Sequence, residues 1–396
     1  MTDRIPFANS LRGIAAVVVV FAHHFGVFWL GPWYVEHQTG MPALGDDRTI
    51  PAYVWVVTLV PNLNWGLFGV ALFFLVSGFV IPFSFDKTRG LPFFIGRFFR
   101  LTPTYAAGFL LTLLALQIGQ WHFGVERPYQ TNHILVHMIP GLRDIAWTPV
   151  IDPIVWTLEV EVKFYLICAA MGGLFARRSK LVFIAPVALF LYGLAFPGVS
   201  EVLKPIGGYS YTLPLIVDKA APYLIFMFIG VAYNYSIRNA LRPQEFMMVV
   251  AFLFGILIFL WQKDVPAASA NQIWSYGWAV GVFALAAAIP ERFTDNRMLN
   301  YFAAISYPLY VVHCLIGYVV LRLLFDMGWP VLVNQVTAFV LVIALAHILH
   351  RVVEKPSHDF ARQVMARMST ARAFAVPPGQ ELQKPVIQAD PRADAA

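Results

Sequence analysis

The chain has 396 residues, 59% hydrophobic and only 13% charged, with a net charge of +6 and mean hydropathy +0.66. Soluble domains run near 45–50% apolar and about 25% charged, so this composition excludes an ordinary soluble enzyme. Nucleic acid is not implied either, because the basic residues sit in short loops between apolar runs.

A spanning helix needs about 20 mostly apolar residues, and ten stretches meet that need: 11–30, 66–83, 103–120, 154–176, 181–197, 220–236, 246–262, 272–290, 303–324 and 332–352. The stretch 51–63 is apolar too, but Pro51, Pro61 and Asn62 mark it as interfacial. The 34 Phe, 16 Tyr and 11 Trp suit lipid-facing helices with aromatic belts. The fold expected is therefore all-α and polytopic. Twenty of the 28 Lys and Arg fall on one side of this alternation and eight on the other, which puts both termini in the cytoplasm. Cys168 and Cys314 lie inside apolar runs, in neither a disulfide framework nor a zinc-ligand spacing, and no metal is expected. From Ser357 the chain turns polar, and from Ala375 it carries Pro377, Pro378, Pro385 and Pro391. The expectation is a membrane domain over 1–356 and a disordered cytoplasmic tail over 357–396.

Polar groups inside membrane helices are costly and point to function. In the first segment Arg12 and His23 are eleven residues apart, about 20° from eclipsed on an α-helix, with the imidazole roughly 16 Å along the axis and near mid-bilayer. A neutral imidazole there is available as a base; a histidine bonded to a neighbouring helix gives the same letters. His24 is turned away and reads as structural. Ser77–Gly78 lies in the second segment, where small residues permit close helix approach. Arg97 and Arg100 share a helix face and suit phosphate recognition, although topogenic arginines would look alike. In WTLEVEVKFY, Glu159 and Lys163 are placed to pair at i,i+4, whereas Glu161 points elsewhere and needs a cation, a substrate hydroxyl or water. Ser306 and His313 share a face of the ninth segment. Glu354 is placed to pair with Arg351 where that last helix stops.

Together these pieces resemble the acyltransferase-3 family of integral membrane O-acyltransferases. The resemblance rests on LRGIAA followed by His23, FFLVSGFVI at 73–81, RFFRLTP at 97–103, WTLEVEVKFY at 156–165, SYPLYVVH at 306–313 and EKP at 354–356. It covers residues 5 to about 356. The chain departs from the family in carrying Asn9 and Ser10 where Asp-Gly is usual, and in Lys163. The resemblance implies a multi-pass protein of the bacterial cytoplasmic (inner) membrane, embedded in lipid. Such a protein transfers an acyl group, most simply acetyl, from acetyl-CoA or another acyl-CoA to a hydroxyl of a carbohydrate or glycosylated small molecule. Carried over residue by residue, His23, Arg12 and Glu161 are the catalytic candidates and Arg97 and Arg100 the donor-binding pair. Ser77, Trp156, Tyr165 and His313 are possible supports. Glu161 is expected to orient the acceptor or another side chain near the outer face. The aromatic loop Phe28, Trp29, Trp33 and Tyr34 suits sugar stacking or interfacial anchoring. Two other classes carry the same polar residues: a secondary transporter, and an assembly subunit in which they bond helices together.

Overall fold

The computed structural model describes residues 5–374 apart from 46–47, 89, 265 and 294–295. It is all-helical, with no strand among the described residues. The elements used below are α1 (Pro6–Phe21, prolonged by a π-helical turn Ala22–Val27), α2 (Trp65–Val80), α3 (Leu91–Phe123), α4 (Thr131–His137), α5 (Leu142–Ala146) and α6 (Val155–Ala170). They continue as α7 (Ile184–Leu203), α8 (Gly208–Ile237), α9 (Pro243–Asp264), α10 (Pro266–Ala288), α11 (Ser306–Val312), α12 (Cys314–Asp326), α13 (Val331–Leu349) and α14 (Lys355–Phe374). Each of the ten apolar stretches is helical over most of its length. Among the described residues seven helices are long and apolar enough to cross a membrane, or eight if the bent pair α11–α12 is one span. The fourth stretch breaks at Met171, where α6 ends after 16 residues.

The centre of the bundle is α2, apolar on all sides and mostly buried, as befits a helix surrounded by others. It packs on α1, α8 and α10. The approach to α8 is so close that a Cβ on Gly78 would run into the Met227 carbonyl, and one on Gly230 into that of Leu75. Small residues at crossing points let the backbones come together.

Two breaks in helical regularity face each other. The π-turn of α1 contains both His23 and His24, and α11 and α12 meet at His313 with a 53° bend. At the start of α12, His24 Nε2 donates to the His313 carbonyl at 2.9 Å. His24 is wholly buried and passes over Gly317, where any Cβ would strike its ring. His24 thus pins the two breaks together.

Two expectations change at the C-terminus. Glu354 pairs with His350 at 2.5 Å rather than with Arg351, and the helix does not stop there. It runs through a π-helical turn, His350–Glu354, into α14. The stretch from Ser357 to Phe374, expected to begin a disordered tail, is helix laid on the start of α3: Phe360 packs on Phe99 (centroids 5.2 Å) and Met365 lies against Gly96. Residues 375–396 lie outside the described residues.

Candidate active site

The sequence candidates gather in two adjoining groups. The first is basic. Arg12 of α1 and Arg97 and Arg100 of α3 lie close enough to repel one another. Among the described residues no carboxylate forms an ion pair with any of the three. Arg97 donates to Ser84 Oγ and lies over the rings of Phe93 (5.3 Å) and Tyr165 (5.4 Å). Such faces hold a guanidinium without neutralising it.

Glu161 acts electrostatically on Arg12 and Arg97, as Glu354 does on Arg12 and Arg100. The carboxylate of Glu161 therefore shares the electrostatic surroundings of the arginines. Its Oε1 accepts from Ser77 Oγ at 3.0 Å and from the Tyr165 hydroxyl. Both partners are hydroxyls of the protein itself, whereas the sequence pointed to a cation, a substrate hydroxyl or water. Tyr165 is its own i+4 neighbour, which a search for charged partners overlooks. At the adjacent positions of α2, Gly78 makes the close helix contact and Ser77 the polar one.

The second group is formed by imidazoles. The rings of His23 and His313 stand at 74° with centroids 4.9 Å apart. His23 Nδ1 lies 2.5 Å from the Tyr318 hydroxyl and 3.5 Å from Cys314 Sγ. His313 Nδ1 donates to the Tyr310 carbonyl at 2.7 Å, which leaves its buried Nε2 as an acceptor with no protein partner. The Tyr310 hydroxyl bonds Thr157 at 2.7 Å. Tyr318, Cys314 and Tyr310 escaped the sequence reading. The signal available was the density of polar and titratable residues, Tyr310, His313, Cys314 and Tyr318, along one apolar segment.

Other candidates make other contacts. Trp156 packs between Phe74 (6.1 Å) and Tyr223 (5.0 Å). Phe28 and Trp29 are 1% exposed and belong to the core, so of the four loop aromatics Trp33 alone is well exposed, with Tyr34 half-buried. Glu159 and Lys163 do not pair with each other's side chains. Arg143 of α5 grips both Glu159 oxygens at 2.5 and 2.6 Å, and Lys163 pairs with Asp144. The short helix α5 folds back on α6 and supplies opposite charges that local spacing does not reveal. No group of three or more His, Cys, Asp or Glu able to hold a metal ion is found among the described residues.

Three arginines with no ion-paired carboxylate among the described residues, in one bundle with the His23–His313 ring pair, suit a polyanionic donor and a base. Against known families, the one described as an acyltransferase domain matches residues 5–351. The chain belongs to the acyltransferase-3 family. No curated protein and no solved structure matches it. The chain is accordingly a multi-pass membrane acyltransferase, and its reaction takes an acyl donor and an acceptor. The matched span runs from the start of α1 to the π-turn before α14, so it contains both residue groups.

Proposed function

We propose that this acyltransferase moves an acetyl group from acetyl-CoA to a carbohydrate hydroxyl, with the arginine cluster holding the coenzyme and His23 acting as general base. The observation that carries this reading is the convergence of Arg12, Arg97 and Arg100 with no ion-paired carboxylate among the described residues. Three such cations favour a polyanion, and guanidinium forks match phosphate oxygens in geometry as well as charge. The coenzyme's phosphates would occupy the arginine end, with its extended arm carrying the thioester toward the histidines. By the excess of Lys and Arg on that side, the arginine end faces the cytoplasm of a bacterial inner membrane, where acyl-CoA is made.

The hydrogen bonds around His23 support a base role. The Tyr318 hydroxyl interacts with Cys314 as well as with His23. When it donates to Cys314 Sγ, its oxygen accepts from His23 Nδ1–H, and Nε2 is left with the lone pair. Nε2 takes the acceptor's hydroxyl proton as that oxygen attacks the thioester carbonyl. The tetrahedral intermediate collapses, the C–S bond breaks, and the coenzyme leaves as a thiol after recovering the proton from His23. Glu161, bonded to Ser77 and Tyr165, orients Tyr165 beneath Arg97.

The test is transfer of radiolabelled acetyl-CoA by the purified protein in lipid nanodiscs, followed as coenzyme A release and labelled product. His23→Ala is expected to bind coenzyme A normally and to lose turnover by about 10²–10⁴-fold, the usual worth of general base help. Turnover retained within tenfold in that variant removes His23 from the role.

A further inference from the structure

Among the buried polar atoms that the reaction above does not use, three without partners lie together where α3, α4 and the loop before α6 meet. Asp152, in that loop, is 1% exposed. Its Oδ1 accepts from the Ile154 amide at 3.3 Å, and its Oδ2 has no partner. The Asp152 amide donates to His137 Nε2 at 3.2 Å, which fixes the neutral ring with its proton on Nδ1; that buried donor has no acceptor. Tyr105 of α3 is wholly buried, and its hydroxyl is unpartnered too. Phe109 stacks on both the Tyr105 ring (5.9 Å) and the His137 ring (4.7 Å), holding them side by side. A buried polar group left unbonded costs free energy, so three in one place signal something that completes them.

The cluster adjoins the reaction centre. Asp152 acts electrostatically on Tyr34, Tyr105, Tyr310 and Cys314, and Cys314 is in contact with His23. Tyr105 follows Arg100 by five residues on α3, about 7.5 Å along its axis. The unpartnered groups comprise an acceptor, a donor and a hydroxyl that is either. Vicinal hydroxyls of a sugar offer the complementary set, whereas a phosphate would meet Asp152 as a like charge.

We infer that Tyr105, His137 and Asp152 form the subsite that binds hydroxyl groups of the acyl acceptor beside His23. The inference rests on the acyl-transfer reading above. Burial holds the Asp152 carboxyl up to about 7, so near neutral pH it both accepts and donates, which suits a hydroxyl ligand. Residues facing it are Tyr34, Tyr105, His137, Tyr310 and Cys314. Tyr105 is also informative for a second reason. Its hydroxyl has no hydrogen-bond partner among the described residues, so its removal should not destabilise the fold.

The experiment uses nanodisc-embedded protein, radiolabelled acetyl-CoA, and methyl glycosides of glucose, galactose and rhamnose as acceptors. Wild type is expected to label at least one glycoside. Asp152→Asn should raise the KM for that glycoside about tenfold with the KM for acetyl-CoA unchanged, the loss expected when a buried polar contact to substrate is removed. Tyr105→Phe should raise the glycoside KM about threefold while its unfolding temperature stays level or rises. That pairing of weaker acceptor use with an undamaged fold is not produced by a structural role, and Tyr105→Phe carries the test should Asp152→Asn fail to fold. Wild-type glycoside KM in both variants, or a destabilised Tyr105→Phe, overturns the subsite. Acetyl-CoA consumed by wild type with no glycoside labelled overturns its ligand class. No consumption of acetyl-CoA at all counts instead against the donor reading on which the subsite rests.

Discussion

The two faces of α6 carry charge in contrasting states. On one face Glu159 and Lys163 meet Arg143 and Asp144, and every charge has an opposite partner. On the other, Glu161 is bonded to the hydroxyls of Ser77 and Tyr165, while three nearby arginines have no ion pair among the described residues. Both sets come from the same ten-residue motif. A network closed on itself holds α5 to the bundle and has no capacity left for a ligand. An open one keeps its cations apart at a cost in repulsion, which a bound polyanion would relieve. Charge balance, rather than charge content, separates scaffold from site here.

The sharpest way to break this contrast is to remove cations from the open side. Replacing Arg97 and Arg100 together by Ala is expected to raise the KM for acetyl-CoA by roughly 10²–10⁴-fold, since each hydrogen bond to a charged group is worth about 1.5–3 kcal/mol. The unfolding temperature should hold or rise, because like charges are being taken away. A fall in stability with unchanged coenzyme affinity would show these arginines to be helix anchors. Isothermal titration with coenzyme A and a thermal melt on the same nanodisc sample decide the matter.

The closed side should answer in the opposite way. Arg143→Ala strands Glu159, whose side chain is 4% exposed, and loss of one partner of a buried pair costs about 3–5 kcal/mol. A large drop in unfolding temperature is expected, with the KM for acetyl-CoA unaffected in whatever fraction folds. Arg143→Met combined with Glu159→Leu should recover most of that loss, as apolar replacement of a buried pair often does. A double variant no better than the single one would mean that the Arg143 bond to the Thr148 carbonyl at 3.1 Å is the contact that matters.

This contrast was half legible in the sequence. The ten apolar stretches announce helices, and the i,i+3 spacing of Arg97 and Arg100 puts both on one face. Helical periodicity also separates Glu161 from Glu159 by 200°. Partners contributed by distant chain were not legible. Tyr318 reaches His23 across 295 residues, and Arg143 reaches Glu159 from a short helix too polar to register as a span. The π-turn at His23 and the bend at His313 were invisible for a related reason. Both are departures from the regular helix that the periodicity argument assumes, stabilised by the tertiary bond from His24. In α14 composition misled, because an even mixture of charge and small apolar residues reads as a tail. Two of its large side chains, Phe360 and Met365, reach α3.

The most specific effect expected concerns pH. Burial raises the Asp152 carboxyl to about 7 from 3.8, and lowers His137 to about 4 from 6.5. The two displacements act on stability with opposite sign. A folded state that holds the Asp152 proton more tightly than the unfolded chain loses stability as pH rises from about 4 to about 7. A folded state that keeps His137 neutral gains stability as pH rises from about 4 to about 6.5, because only the unfolded chain binds that proton. Each slope is at most about 1.4 kcal/mol per pH unit, so in wild type the two nearly cancel between pH 4 and 6.5. Asp152→Asn removes one and exposes the other. Relative to wild type, its unfolding temperature should climb with pH across that window and level off above it. The comparison is made by thermal melts of both proteins at half-unit intervals from pH 4 to 8. Parallel curves would mean that Asp152 keeps an ordinary carboxylate's proton affinity in the folded protein, and with it would go the view that this carboxyl is held near neutrality, ready to meet a hydroxyl.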